Sequence, residues 1–169
     1  MVKHSQLFID SLIHPKKLPA YRLLPIGKTI QYVFLLIAFV TIFSFIQFLT
    51  GVSTISYNIE GLTEYIDEIQ WLLYPFAILF LILTTTVLLF GRISIYAFVG
   101  IIILKIMNRR GEYRHMWRTA ALANTWSTIL SIIFTILQIK GTLPTLIGIV
   151  LTISLLIIAS TKYPKIPKK

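Results

Sequence analysis

The chain has 169 residues, of which 56% are hydrophobic and only 13% are charged, and its formal net charge is +10. That charged fraction is about half of what a soluble domain carries, so the composition excludes an ordinary water-soluble domain and indicates a protein that folds in lipid. The absence of cysteine excludes a disulfide framework, a thiolate nucleophile and a zinc–thiolate site, and the lysines and arginines flank apolar runs, which is typical of membrane topology signals rather than of nucleic-acid binding.

Residues 1–29 form a basic segment that is interrupted by proline. Within it, the run SQLFIDSLI predicts a short helix with Ser5 as its N-cap and an end at His14, because Pro15 disfavours helix in the residue before it. We expect this helix to lie in the membrane interface rather than to cross the bilayer. The residues predicted to share its apolar face are Phe8, Ile9, Leu12 and Ile13.

Two groups of cations, one in the N-terminal segment and one after a long apolar stretch, are candidates for binding anionic lipid headgroups. The candidate residues are Lys16, Lys17, Arg22, Arg109, Arg110 and Arg114. On one cytoplasmic face they would form a ring of positive charge at headgroup depth, and arginine can donate two hydrogen bonds to one phosphate. The alternative is that these residues are only positive-inside topology anchors without a specific ligand.

The first predicted span covers residues 30–49. This is the first long apolar run and it lacks a small-residue cleavage site, so we expect no cleavable signal peptide before it. Thr41 and Ser44 lie three residues apart on one face of this helix, where their hydroxyls can bond to a neighbouring helix or to their own backbone.

Residues 50–70 form the one acidic segment of the chain and contain no lysine or arginine. The carboxylates are Glu60, Glu64, Asp67 and Glu68. Their spacing does not match the alternating ligands of a calcium-binding loop. We therefore predict a solvated extracytoplasmic loop that ends in a short amphipathic helix before Trp71.

The stretch of residues 71–107 is too long for one comfortable span and barely long enough for two. A span of about 20 helical residues counted inward from Trp71 ends just before Gly91 and Arg92, which places these two at the inner boundary. Either the chain crosses once and residues 93–107 continue as an inner apolar helix, or Gly91 and Arg92 form a tight turn and residues 93–107 cross back.

The distribution of charge favours the single crossing. It puts both termini and the basic loop at residues 108–116 in the cytoplasm, so that every lysine and arginine except Lys140 lies at or near the cytoplasmic face. The double crossing sends the basic loop and the lysine-rich C-terminus outside, against the positive-inside bias. We therefore predict an all-α polytopic membrane bundle, a single domain of residues 1–169 with four transmembrane helices. Five spans stay open as the alternative.

The third predicted span, residues 117–137, carries small and polar residues in one stripe. The polar members of this stripe are Asn124, Thr128, Ser131 and Thr135. They predict a helix–helix seam, where small residues allow close approach, and the alternative is the wall of a polar pathway. Trp126 lies well inside the span, and we expect it to fill a groove between helices.

The fourth predicted span covers residues 143–161, and a cytoplasmic tail covers residues 162–169. A small-residue face of Thr145, Gly148 and Thr152 is expected to pack on the third span. The tail KYPKIPKK adds lysines as an inner anchor, and its prolines prevent extension of the helix.

Two stretches resemble one protein family, namely FIDSLIHPKKLPAYRLLPIGKTIQYVF near the N-terminus and EYRHMWRTAALANT at the third span. They are similar to the bacterial family known as domain of unknown function 1189, which belongs to the wider Yip-type membrane-protein superfamily. The resemblance implies a membrane protein, mainly of Gram-positive bacteria, and it implies no catalytic residues. Members usually have a larger outer domain after the first span, where this chain has only residues 50–70.

No arrangement of residues in the sequence predicts catalysis. The three histidines, His4, His14 and His115, form no metal-ligand pair, and no Asp or Glu lies inside a predicted span. Neither a phosphate loop nor a nucleophile elbow occurs. We therefore expect no enzyme, no cofactor and no metal site.

The favoured function is a non-catalytic scaffold or regulator that acts on a membrane partner or on anionic lipid. We expect it in the plasma membrane of a bacterium, with both termini cytoplasmic. The alternative is a small transporter or channel-like protein with a polar pathway along the third span. The expected partners are anionic membrane lipids and a membrane protein or a second copy of the chain, and no nucleic acid.

Overall fold

The computed structural model describes residues 3–58, 62–139 and 141–166. These residues form helices joined by short connections and no named strand. In chain order the helices are α1 (His4–Ile13), a 3₁₀ helix (Pro15–Leu23), α2 (Ile26–Asn58), α3 (Leu62–Ile106), α4 (Tyr113–Ile136) and α5 (Leu143–Ser160). α2, α3, α4 and α5 are each long and apolar enough to cross a membrane. The predicted all-α class is confirmed, and the number of candidate spans agrees with the four-span prediction.

The chain divides into two compact units. The first contains Met1–Val33 and Phe90–Lys169, and the second contains Phe34–Leu89. α1, the 3₁₀ helix, α4 and α5 belong wholly to the first unit, whereas α2 and α3 contribute residues to both. All the candidate sites lie in the first unit.

The acidic segment between α2 and α3 is helical over most of its length. α2 extends to Asn58, so the prediction of a loop in the first part of this segment is wrong, whereas the helix predicted before Trp71 is confirmed, because α3 begins at Leu62. Hydroxyl groups near the end of α2 satisfy backbone carbonyls of the preceding turn, as Thr50 does by donating to the Ile46 carbonyl over 3.0 Å. Glu64 lies in the first turn of α3, where a carboxylate interacts favourably with the helix dipole. Glu60 lies outside the described residues.

α3 is helical without a break through Gly91 and Arg92. The tight turn that a double crossing requires therefore does not form, and residues 93–106 continue the same helix, as the four-span threading expects. The physical reason is local: residues 93–106 contain no proline and no pair of turn residues that would stop a helix.

α4 is the central helix of the first unit. Its buried residues are Met116, Thr119, Ala120, Ala121, Leu122, Ala123, Asn124, Thr125, Ser127 and Thr128. Trp126 donates its indole N–H to the Leu12 carbonyl at the end of α1 over 2.9 Å. The Tyr32 hydroxyl of α2 lies 2.7 Å from Thr125 Oγ1 and 3.3 Å from Ser11 Oγ. These bonds attach both α1 and the start of α2 to the middle of α4.

The structure corrects one prediction about α1. The N-cap is Lys3, which makes no side-chain cap bond, so the prediction of Ser5 is wrong. The buried residues of α1 are Leu7, Asp10 and Ser11. Two members of the predicted apolar face, Ile9 and Ile13, are exposed, which is compatible with a face that meets the membrane interface, and that position stays a prediction. The predicted end of the helix next to Pro15 is confirmed.

α5 packs closely on α4 at Gly148. A Cβ atom at this position would lie 2.6 Å from Ser127 Oγ, which is too short for a nonbonded contact. Thr152, one turn further, is also buried and donates to the Gly148 carbonyl over 2.8 Å, whereas Thr145 is exposed. The small-residue contact predicted between the third and fourth spans is confirmed at Gly148.

Candidate functional site: a basic groove

The turn after α3 determines where the following arginines lie. Asn108 adopts a left-handed backbone conformation with φ of 52°, which asparagine tolerates better than most residues. The next N–H, that of Arg109, then donates to the Leu104 carbonyl over 2.9 Å and closes the end of the helix. Arg109 and Arg110 consequently lie just beyond the last turn of α3.

The segment after α5 pairs with this turn. The Arg110 N–H donates to the Pro164 carbonyl over 2.8 Å, and the Ile166 N–H donates to the Asn108 carbonyl over 3.1 Å. Arg109 and Lys165 form an isolated antiparallel bridge between these two bonds. The tail, predicted only as a lysine-bearing anchor, is therefore attached to the loop between α3 and α4.

Tyr163 holds the start of the tail in place. Its side chain is buried, and its hydroxyl lies 2.7 Å from Thr119 Oγ1 on α4. Burial raises the pKa of this phenol above its ordinary value, so the side chain stays neutral. A Cβ atom at Gly111 would lie 3.2 Å from the ring, which explains why a residue without a side chain covers Tyr163.

These contacts border an open groove of about 580 Å³, here called the basic groove. Its ionisable lining residues are Arg22, Arg109, Arg110, Glu112, His115 and Tyr163. With His115 neutral, three arginines face one glutamate, which leaves an excess of two positive charges. Apolar side chains at Leu23 and Ile166 complete the wall. The groove therefore combines cations with apolar surface, as a lipid headgroup site requires.

The guanidinium groups of the three arginines differ in the contacts that they make within the fold. The Arg22 guanidinium lies over the Tyr163 ring, with its Cζ 5.1 Å from the ring centroid. Arg109 Nη1 donates to the Tyr163 carbonyl over 2.5 Å. Arg110 is exposed, and within the described part of the chain its guanidinium has no partner. Arg110 thus has the donors that are most available to an anion.

The structure brings together three of the six predicted headgroup residues. Those that line the groove are Arg22, Arg109 and Arg110. Lys17 instead pairs with Asp10 over 3.2 Å. Arg114 pairs with Glu112 over 2.5 Å at the exposed start of α4, and Lys16 is exposed away from the groove lining.

Residues 52–160 match the sequence pattern of a family described as "Protein of unknown function (DUF1189)". This match covers more than half of the chain, including all of α3, α4 and α5. The chain belongs to this family. The match contains the EYRHMWRTAALANT stretch, whereas the N-terminal stretch that shares the resemblance lies outside it. No curated protein and no solved structure matches this DUF1189 chain.

A second polar cluster of the DUF1189 chain joins α1 to the 3₁₀ helix. Asp10 is only 4% exposed and accepts hydrogen bonds from the Tyr21 hydroxyl and, over 3.2 Å, from Lys17. His14 Nδ1 lies 3.0 Å from the same carboxylate. The bond from Tyr21 lowers the pKa of Asp10, and burial together with this bond raises the pKa of Tyr21 to about 12. The cluster is charged and internally satisfied, so it fixes α1 rather than offering a binding site.

The polar stripe of α4 is buried at one end and exposed at the other. Asn124 and Thr128 are buried, Ser131 is half-buried and Thr135 is exposed. The hydroxyls bond within their own helix, since Thr128 donates to the Asn124 carbonyl over 3.0 Å and Ser131 to the Ser127 carbonyl over 2.8 Å. Asn124 Nδ2 donates to Thr128 Oγ1 over 3.3 Å, and its buried Oδ1 has no partner among the described residues.

Sequence reasoning missed two groove-lining residues of the DUF1189 site and the contact that Arg118 makes. His115 and Tyr163 line the groove, and Arg118 Nη1 donates to the Arg22 carbonyl over 2.5 Å, which attaches the 3₁₀ helix to α4. No local pattern marks these residues, because their partners lie 44 to 96 positions away in sequence. Over the described ranges, no group of three or more His, Asp or Glu side chains could hold a metal ion.

Proposed function

We propose that the chain is a non-catalytic, multi-pass membrane protein that binds an anionic lipid headgroup in the basic groove and thereby scaffolds or regulates a membrane partner. The observation that carries this proposal is the convergence of Arg22, Arg109 and Arg110 around one open groove. A guanidinium can donate two parallel hydrogen bonds to one phosphate, which suits this ligand. The groove also lies beside the ends of α3, α4 and α5, where headgroups meet a membrane-spanning protein.

The surface of the helices supports insertion into lipid. Large apolar side chains are exposed along all four long helices, and examples are Phe39, Phe76, Leu83, Ile136 and Val150. In water such a surface would cause aggregation, whereas lipid tails can cover it. α1 turns Asp10 and Ser11 inward and Ile9 and Ile13 outward, which is the reverse of an amphipathic helix on a soluble protein.

The distribution of charge supports an orientation with both termini and the basic groove in the cytoplasm. The loop after α3 and the tail after α5 carry most of the cations that are far from the N-terminus, and such cations are retained on the cytoplasmic side of a membrane. We further propose that the membrane is the plasma membrane of a bacterium and that the chain belongs to the Yip-type superfamily, in line with the sequence resemblance.

A transporter or channel-like protein with a polar pathway along α4 is the second candidate. The observation that favours it is the buried Asn124 Oδ1, for which no described residue is a partner. The hydroxyls of Thr128, Ser131 and Thr135, however, donate to carbonyls of their own helix. They offer few donors to a passing solute, so headgroup binding is the preferred function.

Native mass spectrometry of the protein purified from native membrane tests headgroup binding. Arg110→Gln removes an exposed cation that lines the groove, and Lys105→Gln removes an exposed cation five residues away that does not. Both variants lose one charge, but only the first loses donors inside the groove. We expect bound phosphatidylglycerol to be held about tenfold more weakly by Arg110→Gln and to be held by Lys105→Gln nearly as in the wild type.

Phosphatidylcholine is the matched lipid with no net charge, and it should bind all three proteins equally. Equal phosphatidylglycerol occupancy in the wild type and Arg110→Gln would mean that the arginines are topology anchors only. An equal loss in Arg110→Gln and Lys105→Gln would mean that the lipid is attracted by general surface charge rather than held in the groove.

A further inference from the structure

Arg92, which the sequence places at an inner boundary, lies instead inside the packing of the first unit. Its Nη2 donates to Ser127 Oγ on α4 over 2.6 Å, and its Nε donates to the Tyr96 hydroxyl over 3.4 Å. Its Cζ lies 5.7 Å from the centroid of the Tyr96 ring. A Cβ atom at Gly148 of α5 would lie 3.5 Å from Nη2. The guanidinium therefore occupies the place where α3, α4 and α5 approach one another.

This place is far from the ends of α4. Ser127 lies about 21 Å from Tyr113 and about 14 Å from Ile136 along the helix axis, at 1.5 Å per residue. Gly148 lies inside α5, about 8 Å from the first residue of that helix. The charge of Arg92 is thus at hydrocarbon depth in the membrane-inserted protein, and a ligand site at Arg92 rests on that proposed insertion.

Arg92 has no counter-ion in the described part of the chain. The ion pairs found there use the carboxylates of Asp10 and Glu112, and neither pairs with Arg92. A guanidinium has five N–H donors, and the bonds to Tyr96 and Ser127 use two of them. Both Nη1 donors and one Nη2 donor remain. An intramembrane cation without a counter-ion is costly, and such a residue is by default a candidate functional site.

One side of Arg92 adjoins the apolar outer surface of α3. Ile95 and Tyr96 follow it by three and four residues, so both side chains neighbour it on the helix surface. Tyr96 is 5% exposed, whereas Ile95 is 65% exposed. Arg92 is half-buried between the two. Its remaining donors are therefore open to a ligand that arrives sideways from the lipid.

We propose that Arg92 binds the carboxylate of a long-chain fatty acid within the membrane. One carboxylate carries the single negative charge that balances one guanidinium, and it accepts two parallel hydrogen bonds from Nη1 and Nη2. The acyl chain lies along the exposed face of α3 beside Ile95. A phospholipid suits the site poorly, because its phosphate stays at the headgroup layer, which the depth of Ser127 along α4 puts out of reach.

Ser127 and Gly148 act as positioning residues in this site. The Ser127 hydroxyl accepts from Nη2 and holds the guanidinium against α4. The missing side chain of Gly148 leaves the space that the hydroxyl and the guanidinium occupy. Tyr96 supplies both a hydrogen-bond acceptor and a ring face for the cation.

A titration with palmitate, followed by native mass spectrometry in a neutral detergent, tests the proposal. Arg92→Gln removes the charge and should weaken palmitate binding about tenfold or more. Arg92→Lys keeps the charge without the planar donor pair and should give a smaller loss. Lys105→Gln removes an exposed cation in the last turn of α3 and is the matched control, which should bind palmitate as the wild type does.

Hexadecanol, which has the same chain length without a charge, should fail to displace palmitate. Unchanged palmitate affinity in Arg92→Gln, or equal displacement by hexadecanol, overturns the proposal. If thermal unfolding shows that Arg92→Gln is not folded, Ser127→Ala decides, and unchanged palmitate affinity in that variant also overturns it. Phosphatidylglycerol adducts in the same spectra report on the basic groove separately, so a failure of one site is distinguished from a failure of the other.

Discussion

The Arg22 guanidinium lies over the ring of Tyr163, with its Cζ 5.1 Å from the ring centroid. The backbone carbonyl of the same arginine accepts a hydrogen bond from Arg118 on α4. The Tyr163 hydroxyl in turn bonds to Thr119 on α4. This one stacked pair therefore connects the 3₁₀ helix, α4 and the tail after α5, and it forms a wall of the basic groove.

Two substitutions of Tyr163 should weaken the attachment of the tail by different amounts. Tyr163→Phe loses the bonds of the hydroxyl to Thr119 Oγ1 and to the His115 carbonyl, which should lower the free energy of unfolding by about 1 kcal/mol. Tyr163→Leu also loses the ring under Arg22, which should lower it by about 1 kcal/mol more. Thermal unfolding in detergent measures both losses, and trypsin cleavage after Lys165 measures release of the tail. Equal losses in the two variants would mean that the stacking contributes nothing.

Asp10 should make stability depend on pH at the acid end. The hydrogen bond from Tyr21 lowers the pKa of Asp10 in the folded state. The contribution of the Asp10 carboxylate to the free energy of unfolding is therefore full above the unfolded pKa of about 4. It is lost as the pH falls through the lower pKa of the folded state. Asp10→Asn should lower the free energy of unfolding by about 1.5 to 3 kcal/mol at neutral pH. The unfolding curves of Asp10→Asn should converge with those of the wild type in acid. A difference in the free energy of unfolding that is independent of pH would contradict this account.

Tyr21 should make the free energy of unfolding decrease as the pH rises in the alkaline range. Burial and the bond to Asp10 raise its pKa to about 12, so its contribution is full below the unfolded pKa of about 10 and is lost as the pH rises through the folded value. Tyr21→Phe removes this titration. The difference in thermal midpoint between the wild type and Tyr21→Phe should therefore shrink above about pH 10, and a constant difference would count against the Asp10–Tyr21 bond.

Gly148→Ala should weaken the packing of α5 on α4. The new Cβ would lie 2.6 Å from Ser127 Oγ, and overpacking of this kind costs about 1 to 3 kcal/mol. Gly91→Ala is the matched control, because it also lies inside a long helix and no atom lies within 4 Å of the position of its Cβ. It should stabilise the helix by up to about 1 kcal/mol. Thermal midpoints that move together would contradict the close approach at Gly148.

Single cysteines test the orientation, since the natural chain contains none. Glu64→Cys lies at the exposed start of α3, and Glu112→Cys lies at the exposed position before α4. In intact cells an impermeant thiol reagent should label the first variant, and it should label the second only after permeabilisation. Labelling of Glu112→Cys in intact cells would rule out the topology with a cytoplasmic groove.

Helix ends are predictable from the sequence where strong boundary signals occur. The fourth predicted span, residues 143–161, agrees with α5 to within one residue, because Pro144 lies near its start and Pro164 follows its end. α2 and α3 extend beyond their predicted ends, because the polar residues of the acidic segment are compatible with helix and no proline interrupts them. Polarity alone does not end a helix.

The register of α3 against α4 is not predictable from hydropathy. Residues 71–107 are apolar almost throughout, so nothing marks which of them faces which residue of α4. The structure sets this register through pairs such as Phe90 and Trp117, whose rings stack with centroids 5.9 Å apart. This register brings Arg92 to the middle of α4. The basic groove is unpredictable for the same reason, since it depends on Arg109 meeting a residue 54 positions later.

The hydrogen bond from Trp126 to the Leu12 carbonyl spans 114 residues of sequence. At a synthesis rate of about 5 to 20 residues per second, Trp126 is made roughly 6 to 23 s after Leu12. α1 therefore leaves the ribosome long before its packing partner exists. The Leu12 carbonyl, at the C-terminal end of α1, must remain hydrated during this interval, until α4 has been made. The segment that is translated first is thus among the last to reach its final place.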